Sequence, residues 1–357
     1  MIMTIMSISF QKIRAGGTII VMRSASYYRQ RCDTIKSYDM KRFLMMMWAV
    51  LALTVSAKAA DPVKQWGQLQ VKGTQLCSES GQPVTLRGVS FGWHNIWPRF
   101  YNKKAVKWLK DDWHATVVRA AMGIMIEDNY LENPEFALQR VEAVVKAAIK
   151  ANVYVIVDWH SHKLLKDDAV KFFSSMAEKY GKYPHVIWEI FNEPVDDSWD
   201  ALKDYSTAVI KAIREKDPDN IILVGCPHWD QDIHLVAESP LKGFSNIMYT
   251  VHFYAATHKD QLRNRMEDAV KRGVPVFVSE SAAMEASGNG PLDEVEWKKW
   301  IDTMERLGIS WVNWSLSDKD ETCSMLLPRA KPDGGWADDV IKKWGKMVRE
   351  QLRRFNP

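Results

Sequence analysis

Eight short apolar runs, recurring roughly every 30 residues, constrain this chain more than any other feature, because that spacing is the size of a strand–helix unit. They fall at Leu86–Phe91, Thr116–Met122, Val153–Trp159, Val186–Phe191, Ile221–Gly225, Ile247–Phe253, Pro275–Ser279 and Ser310–Leu316. Helical patterns separate most of them: Lys103–Asp111, Pro134–Ala151, Asp168–Tyr180, Ser198–Glu215, Lys259–Arg272 and Leu292–Leu307, with Ala337–Arg353 closing the chain. Pro134 and Pro291 stand where helices begin, and Gly273 and Gly308 stand where helices end, the usual asymmetry of those two residues. Eight strands alternating with helices predict an α/β protein, a (β/α)8 TIM barrel, rather than an open sheet. Glycine-rich phosphate loops of the Rossmann or P-loop type are missing from the sequence, which weakens the doubly wound alternative. Ahead of the first barrel strand, Leu69–Cys77 and Pro83–Leu86 flank the turn-forming Ser78-Glu79-Ser80-Gly81-Gln82. This predicts a β-hairpin capping the N-terminal face, the bottom of the barrel.

Charge is uneven along the chain. The net +4 arises from residues 1–59, whose nine Lys/Arg and two Asp leave 39 basic against 42 acidic residues in the remainder, a net of −3. The folded part therefore lacks the electrostatic footprint of a nucleic-acid or anionic-membrane binder. Lys41-Arg42, the apolar run Phe43–Leu53 and the small-residue exit Ala57-Lys58-Ala59 describe a secretory signal peptide too short to be an ordinary membrane span. The expected organisation is an upstream extension over 1–39, a signal peptide over 40–60 and one catalytic domain over 61–357, a secreted monomer without a membrane anchor. Cys77, Cys226 and Cys323 form no disulfide framework and read as buried thiols.

In a barrel of this kind the active site gathers at the C-terminal ends of the strands. Those ends carry Arg119, then Asp158-Trp159-His160-Ser161-His162, Asn192-Glu193, His252-Phe253-Tyr254, Glu280, and Asn313-Trp314. The opposite ends show no comparable set. Two isolated glutamates, Glu193 and Glu280, each follow an apolar run, where an unpaired buried charge costs several kcal/mol. Two carboxylates facing each other are what cleavage of a glycosidic bond requires. A general acid must hold a proton, and like-charge proximity to the second carboxylate predicts a raised Glu193. The second carboxylate must stay ionised, which Arg119 and the hydroxyl of Tyr254 favour. Asn192 suits a sugar hydroxyl. Trp314 offers a flat face to a pyranose ring, and Trp97, Trp93 and Trp229 are further ring platforms in or near the loops. His160 and His252 are placed to donate to sugar hydroxyls or to orient the carboxylates.

Each residue also has a plainer reading. A lone Glu after a strand is usually a paired loop residue, Asn-Glu-Pro resembles a helix entry, and most of the 16 Trp must be core. The joint pattern is what carries weight. A metal-dependent barrel hydrolase would use His160, His162, His228, His252 and Glu193, but such sites usually need an acid at the last strand, where this chain has Asn313-Trp314. An inactive sugar-binding barrel would not need both glutamates. No metal or cofactor is expected.

The chain resembles the family 5 glycoside hydrolases, in their bacterial cellulase branch, from Gly67 to about Leu352. The resemblance rests on Val71-Lys72-Gly73, Leu86-Arg87-Gly88-Val89-Ser90, Trp108–Trp113, Val118-Arg119-Ala120-Ala121-Met122, Asp158-Trp159-His160, Glu189–Pro194 and Asn313–Glu321. It implies an endo-acting, retaining β-1,4-glucanase with a β-glucan substrate, Glu193 as acid/base and Glu280 as nucleophile. It further implies that Arg119, His160, Asn192, His252, Tyr254 and Trp314 line the site. Lys319, Glu321 and Trp97 would meet sugars upstream of the scissile bond. Mixed-linkage glucan, xyloglucan and mannan are the alternative polymers. Two positions depart from many relatives: Ser281-Ala282 replaces an aromatic-Gly pair after the nucleophile, and His94 lies further along than the usual first-strand histidine.

Overall fold

Eight parallel strands close on one another in chain order, each paired with the next and the last with the first. The structure, a computed structural model, describes residues 61–357; the extension and signal peptide expected over 1–60 lie outside them. A first helix, α1 (Pro62–Trp66), leads into the two-stranded antiparallel sheet β1 (Gln70–Lys72) and β2 (Gln75–Cys77). The barrel strands are β3 (Arg87–Phe91), β4 (Val117–Gly123), β5 (Tyr154–His160), β6 (Val186–Glu189), β7 (Ile222–Val224), β8 (Ile247–Tyr254), β9 (Val276–Ala282) and β10 (Trp311–Leu316). Around them lie α2 (Lys103–Asp111), α3 (Pro134–Ala151), α4 (Lys166–Tyr180), α5 (Trp199–Arg214), α6 (Ile233–Glu238), α7 (Asp260–Lys271), α8 (Glu294–Leu307) and α9 (Lys343–Phe355).

The helices form for local reasons that the sequence states. In α3, Asn133 caps the Phe136 N–H, Pro134 occupies the first turn, and Ala137, Val141, Val144, Val145 and Ala148 make the buried face. The strands alternate between two packing layers. Val155, Val157 and Trp159 of β5 face the helices, whereas Tyr154 and Ile156 join an inner cluster with Val117, Ile187, Leu223, Met248, Phe277 and Val312. Gly88 is required where β3 meets β4, because a Cβ there would lie 1.7 Å from the Val117 carbonyl oxygen.

The hairpin forms at the bottom as expected, but its turn is at Gly73-Thr74 rather than at Ser78–Gln82. Gly73 takes the left-handed φ of +60° that favours glycine. The expected second arm contributes only the isolated Cys77–Pro83 bridge. Leu69, Leu76, Val84 and Leu86 close the inner cluster from below, and Tyr154 Oη donates to the Gly67 carbonyl at 2.8 Å. The final helix begins at Lys343 rather than Ala337. After β7 the chain makes a left-handed turn through His228, Trp229 and Asp230 before α6, neither of which the sequence reading anticipated. Cys77, Cys226 and Cys323 are buried free thiols.

Candidate active site

The inner face of the barrel changes character partway up four of the strands. Val117 is followed on the same face by Arg119, Ile156 by Asp158, Ile187 by Glu189, and Met248 by Thr250 and His252. Arg119, fully buried, is the hub. Its Nε donates to Glu189 Oε2 at 2.6 Å and its Nη2 to Glu189 Oε1 at 3.3 Å, closing a two-point grip. Nη2 also donates to Asn192 Oδ1 at 2.6 Å and lies 3.0 Å from Asp158 Oδ2, while Nη1 donates to Glu280 Oε2 at 3.0 Å. Burial disfavours the guanidinium charge, but Asp158, Glu189 and Glu280 outweigh it and raise the Arg119 pKa. Burial likewise works against an ionised Glu189, yet Arg119 and His252 hold that carboxyl down at about 2.

Glu280 is gripped from two sides, by Arg119 and by Tyr254 Oη, which donates to Oε1 at 2.8 Å. It lies within β9, not beyond it, and the register with β8 shifts between Thr250 and His252. That irregularity turns two consecutive residues inward: Ser279 Oγ bonds Glu189 and His252 while Glu280 meets Arg119 and Tyr254. Bulges re-aim side chains in this way beside active sites. Glu193 stands four residues past the end of β6, its Oε1 3.0 Å from His252 Nδ1. Glu193, His252 and Glu280 each present an atom within 4.8 Å of the other two.

The expected raised Glu193 pKa is not what the site produces. Burial pushes the carboxyl up, but the bond to His252 and that ring's charge lower it. His252, for its part, is raised well above the usual histidine range: burial opposes the charge, and Asp230, Glu189 and Glu193 overcome it. The like-charge argument fails because an imidazolium stands nearer to Glu193 than any effective anion.

His160 donates through Nδ1 to Asp158 Oδ2 at 2.6 Å, and burial, with Arg119 next, drives its pKa down so that it stays neutral. Its ring stacks on Trp314 at 5.2 Å between centroids and 9° between planes, and Trp93 meets it edge-on at 4.9 Å. Asn192 Nδ2 is buried without a partner in the protein. On the other side, a cavity of about 670 Å³ is lined by His162, Glu193, Trp229, His252 and Tyr254, with Trp229 39% exposed.

Thus Arg119, His160, Asn192, Glu193, His252, Tyr254, Glu280 and Trp314 converge. Trp97, Lys319 and Glu321 sit further out, on loops rising from the adjacent strands β3 and β10. Trp97 packs over Gly92, and Lys319 pairs with Glu321. Arg99 ties the two loops together through Asp318 at 3.1 Å and the Ala330 carbonyl at 2.6 Å. His94 turns away from the site. It is fully buried and accepts the Gly123 N–H at 3.0 Å, and burial lowers its pKa to about 4. Sequence reasoning named Asp158 and Glu189 in its motifs without giving them a role, though both were detectable as charges two residues above an inward apolar residue, and it missed Ser279 and Asp230.

The histidines proposed for a metal centre do not share one. His160 is committed to Asp158, and His228 lies nearest Asp232, at 3.8 Å. Both nitrogens of His252 are taken, by Glu193 and by Ser279 Oγ at 2.9 Å. The one three-residue cluster found among the described residues, Glu193–His252–Glu280, therefore offers a cation no free imidazole lone pair.

A model of the cellulase family, glycosyl hydrolase family 5, matches residues 77–320. Endoglucanase N of Pectobacterium atrosepticum is 43% identical over 310 residues, 85% of this chain and 69% of that one. An endoglucanase of Clostridium saccharobutylicum is 40% identical over 320 residues, 88% and 71%. The solved catalytic domain of Thermobifida fusca endoglucanase Cel5A superposes with a TM-score of 0.79 at 34% identity, covering 82% of this chain and 99% of that domain.

Proposed function

The chain belongs to the cellulase family, glycosyl hydrolase family 5, and is a glycoside hydrolase; we propose that it is an endo-acting, retaining β-1,4-glucanase in which Glu280 is the nucleophile and Glu193 the acid/base. The observation that carries this assignment is the approach of the two carboxylates: an oxygen of Glu193 and one of Glu280 lie within 4.8 Å. Retaining enzymes hold their carboxyl groups about 5–5.5 Å apart, whereas inverting ones leave room for a water between them.

In the first step a Glu280 oxygen attacks the anomeric carbon while Glu193 protonates the departing glycosidic oxygen, leaving a glycosyl ester on Glu280. In the second, Glu193 takes a proton from water, the water oxygen attacks the same carbon, and Glu280 departs. Arg119 and Tyr254, both bonded to Glu280, aim its oxygen for attack and stabilise the carboxylate again as a leaving group. The free Nδ2 of Asn192 suits the sugar 2-hydroxyl. His160 and Trp314 form the wall for the ring at the cleavage site, while Trp97, Lys319 and Glu321 extend the cleft on one side and Trp229 on the other. Ser281-Ala282 beside the nucleophile leaves that wall small. Residues 40–60 read as a signal peptide, which would export the enzyme. Among the described residues no helix is long and apolar enough to cross a membrane.

The test is reducing-sugar release from a panel of soluble β-glucans and mannans, with and without EDTA. Wild type should act on β-1,4-glucans regardless of chelator. Glu280→Gln should lose about 10⁴-fold or more in kcat/KM, and Glu193→Gln about 10²–10⁴-fold. Activity lost to EDTA but kept by Glu280→Gln would replace this reading with a metal-dependent one.

A further inference from the structure

His252 has a proton inventory that geometry alone largely fixes. Ser279 Oγ donates to Glu189 Oε1 at 2.6 Å, so its lone pairs face His252 Nε2 at 2.9 Å and that nitrogen carries a hydrogen. Across the ring, Nδ1 and Glu193 Oε1 are 3.0 Å apart with one proton to share. It rests either on the imidazole, facing a carboxylate, or on Glu193, facing a neutral ring. What biases the choice is the charge around the imidazole. Glu189 Oε1, 3.6 Å from Nε2, also favours the charged ring, but that carboxylate shares the Arg119 guanidinium. Glu280 is likewise held by Arg119, Asp158 lies further off beside the same guanidinium, and His162, 3.7 Å from Glu193 Oε2, adds no negative charge. Asp230 is different: its Oδ2 lies 3.4 Å from Nε2, it is fully buried, and no Lys or Arg pairs with it.

Asp230 also sits in an unusual place. His228, Trp229 and Asp230 are three consecutive non-glycine residues with φ of 59°, 53° and 59°, conformations that L-residues rarely adopt and that the surroundings must enforce. Asp230 Oδ1 accepts the Cys226 N–H at 2.7 Å, its Oδ2 accepts the Thr250 hydroxyl at 2.6 Å, and the Trp229 N–H binds the Pro194 carbonyl at 2.8 Å. Turn formation alone does not call for a carboxylate, since Asn tolerates left-handed φ at least as well and still accepts from Cys226. Burial pushes the Asp230 carboxyl up, opposed by His252 and by the bonds that its two oxygens accept from Thr250 and Cys226; the charge held by those partners is what an amide would lack.

We propose that Asp230 is a positioning residue for the acid/base step, its carboxylate holding the proton shared by His252 and Glu193 on the imidazole until the leaving group takes it. The proton passes from Nδ1 to Glu193 and on to the glycosidic oxygen, and in the second step it returns from water by the same route. The inference rests on Glu193 being the acid/base. Removing a negative charge from beside the pair makes it release its proton at lower pH, so the basic limb moves toward acid.

The experiment is kcat/KM against pH for wild type, Asp230→Asn and Glu193→Gln, on a soluble β-glucan and on dinitrophenyl β-cellobioside, whose leaving group needs no protonation. With β-glucan, Asp230→Asn should move the basic limb down by about one pH unit, with little movement on the aryl substrate. A limb that stays in place while Glu193→Gln still loses β-glucan activity overturns the role of Asp230 alone. If Glu193→Gln keeps that activity, the acid/base assignment itself falls. Should Asp230→Asn fail to fold, ¹⁵N shifts of the wild-type His252 ring at neutral pH decide. Two protonated nitrogens are expected, and a single one overturns the proposal.

Discussion

The two ends of the barrel interior are built from the same strands and obey opposite rules. Below, Val117, Ile156, Ile187, Met248 and Phe277 pack with Leu69, Leu76 and Leu86 of the N-terminal segment into a layer without a titratable side chain other than Tyr154. One step above on the same inward face stand Arg119, Asp158, Glu189, His252 and Ser279, none more than 3% exposed. The lower layer gains stability from excluding water. The upper layer spends some of it, because buried charges rarely repay their desolvation beyond what apolar side chains would give. The division follows the general one in barrels between a stabilising bottom and a reactive top.

Arg119→Met should break the contrast most severely. Three carboxylates, those of Asp158, Glu189 and Glu280, lie within 3.0 Å of its guanidinium, and the variant leaves them buried without a countercharge. A loss of about 3–5 kcal/mol is expected, together with at least about 10³-fold in kcat/KM as Glu280 loses its orientation and charge partner. Urea titration and initial rates on β-glucan read the two effects separately. A variant that stayed both stable and active would mean that the upper layer is not organised around this residue.

Leu76→Ala should do the reverse. Leu76 is 1% exposed in the hairpin that seals the bottom, and truncation there should cost about 2–5 kcal/mol. The kcat/KM of the folded enzyme should be unchanged, since nothing in the upper layer touches it. A fall in kcat/KM at full folding would show that the layers are mechanically linked.

These layers were unequally legible in the sequence. Apolar runs and their spacing reveal strands because burial on both faces demands them, so the barrel, Arg119 and Glu280 could be read directly. Asn192-Glu193 was legible too, although it lies past β6 rather than ending it. What escaped depends on non-local placement. Ser279 and Glu280 both face inward only because the β8–β9 register slips, and no alternation rule anticipates that. The hairpin turn was misplaced because Ser78–Gln82 is as turn-prone as Gly73-Thr74, and pairing partners decide between them. The acidity of Glu193 was misjudged because His252 comes from a strand 59 residues away. The left-handed turn at His228–Asp230 has no glycine to announce it; contacts with Pro194 and Thr250 hold it.

The mildest difference between the layers should appear as acid sensitivity. Glu189 is held at about 2 in the fold against a usual 4.5. A folded-state value below the unfolded one contributes stability that is complete above the unfolded value and is lost as pH falls through the folded one. The contribution of the upper layer should therefore drain away between about pH 4.5 and pH 2, whereas the lower layer has no carboxyl to protonate. Glu142 on the outer helices complicates the reading: burial there is outweighed by Lys146, Lys179 and Tyr180, which hold it at about 2 as well. The measurement is accordingly the slope of unfolding free energy against pH over this window in a Glu142→Gln background, with and without Glu189→Gln. The slope should flatten when Glu189 is replaced, on top of the lower starting stability that the broken Arg119 grip imposes. Leu76→Ala should instead shift the whole curve downward at constant slope. An unchanged slope in the Glu189 variant would mean that the carboxylate–guanidinium grip titrates as a unit, with Asp158 or Glu280 taking up the countercharge that Glu189 supplies.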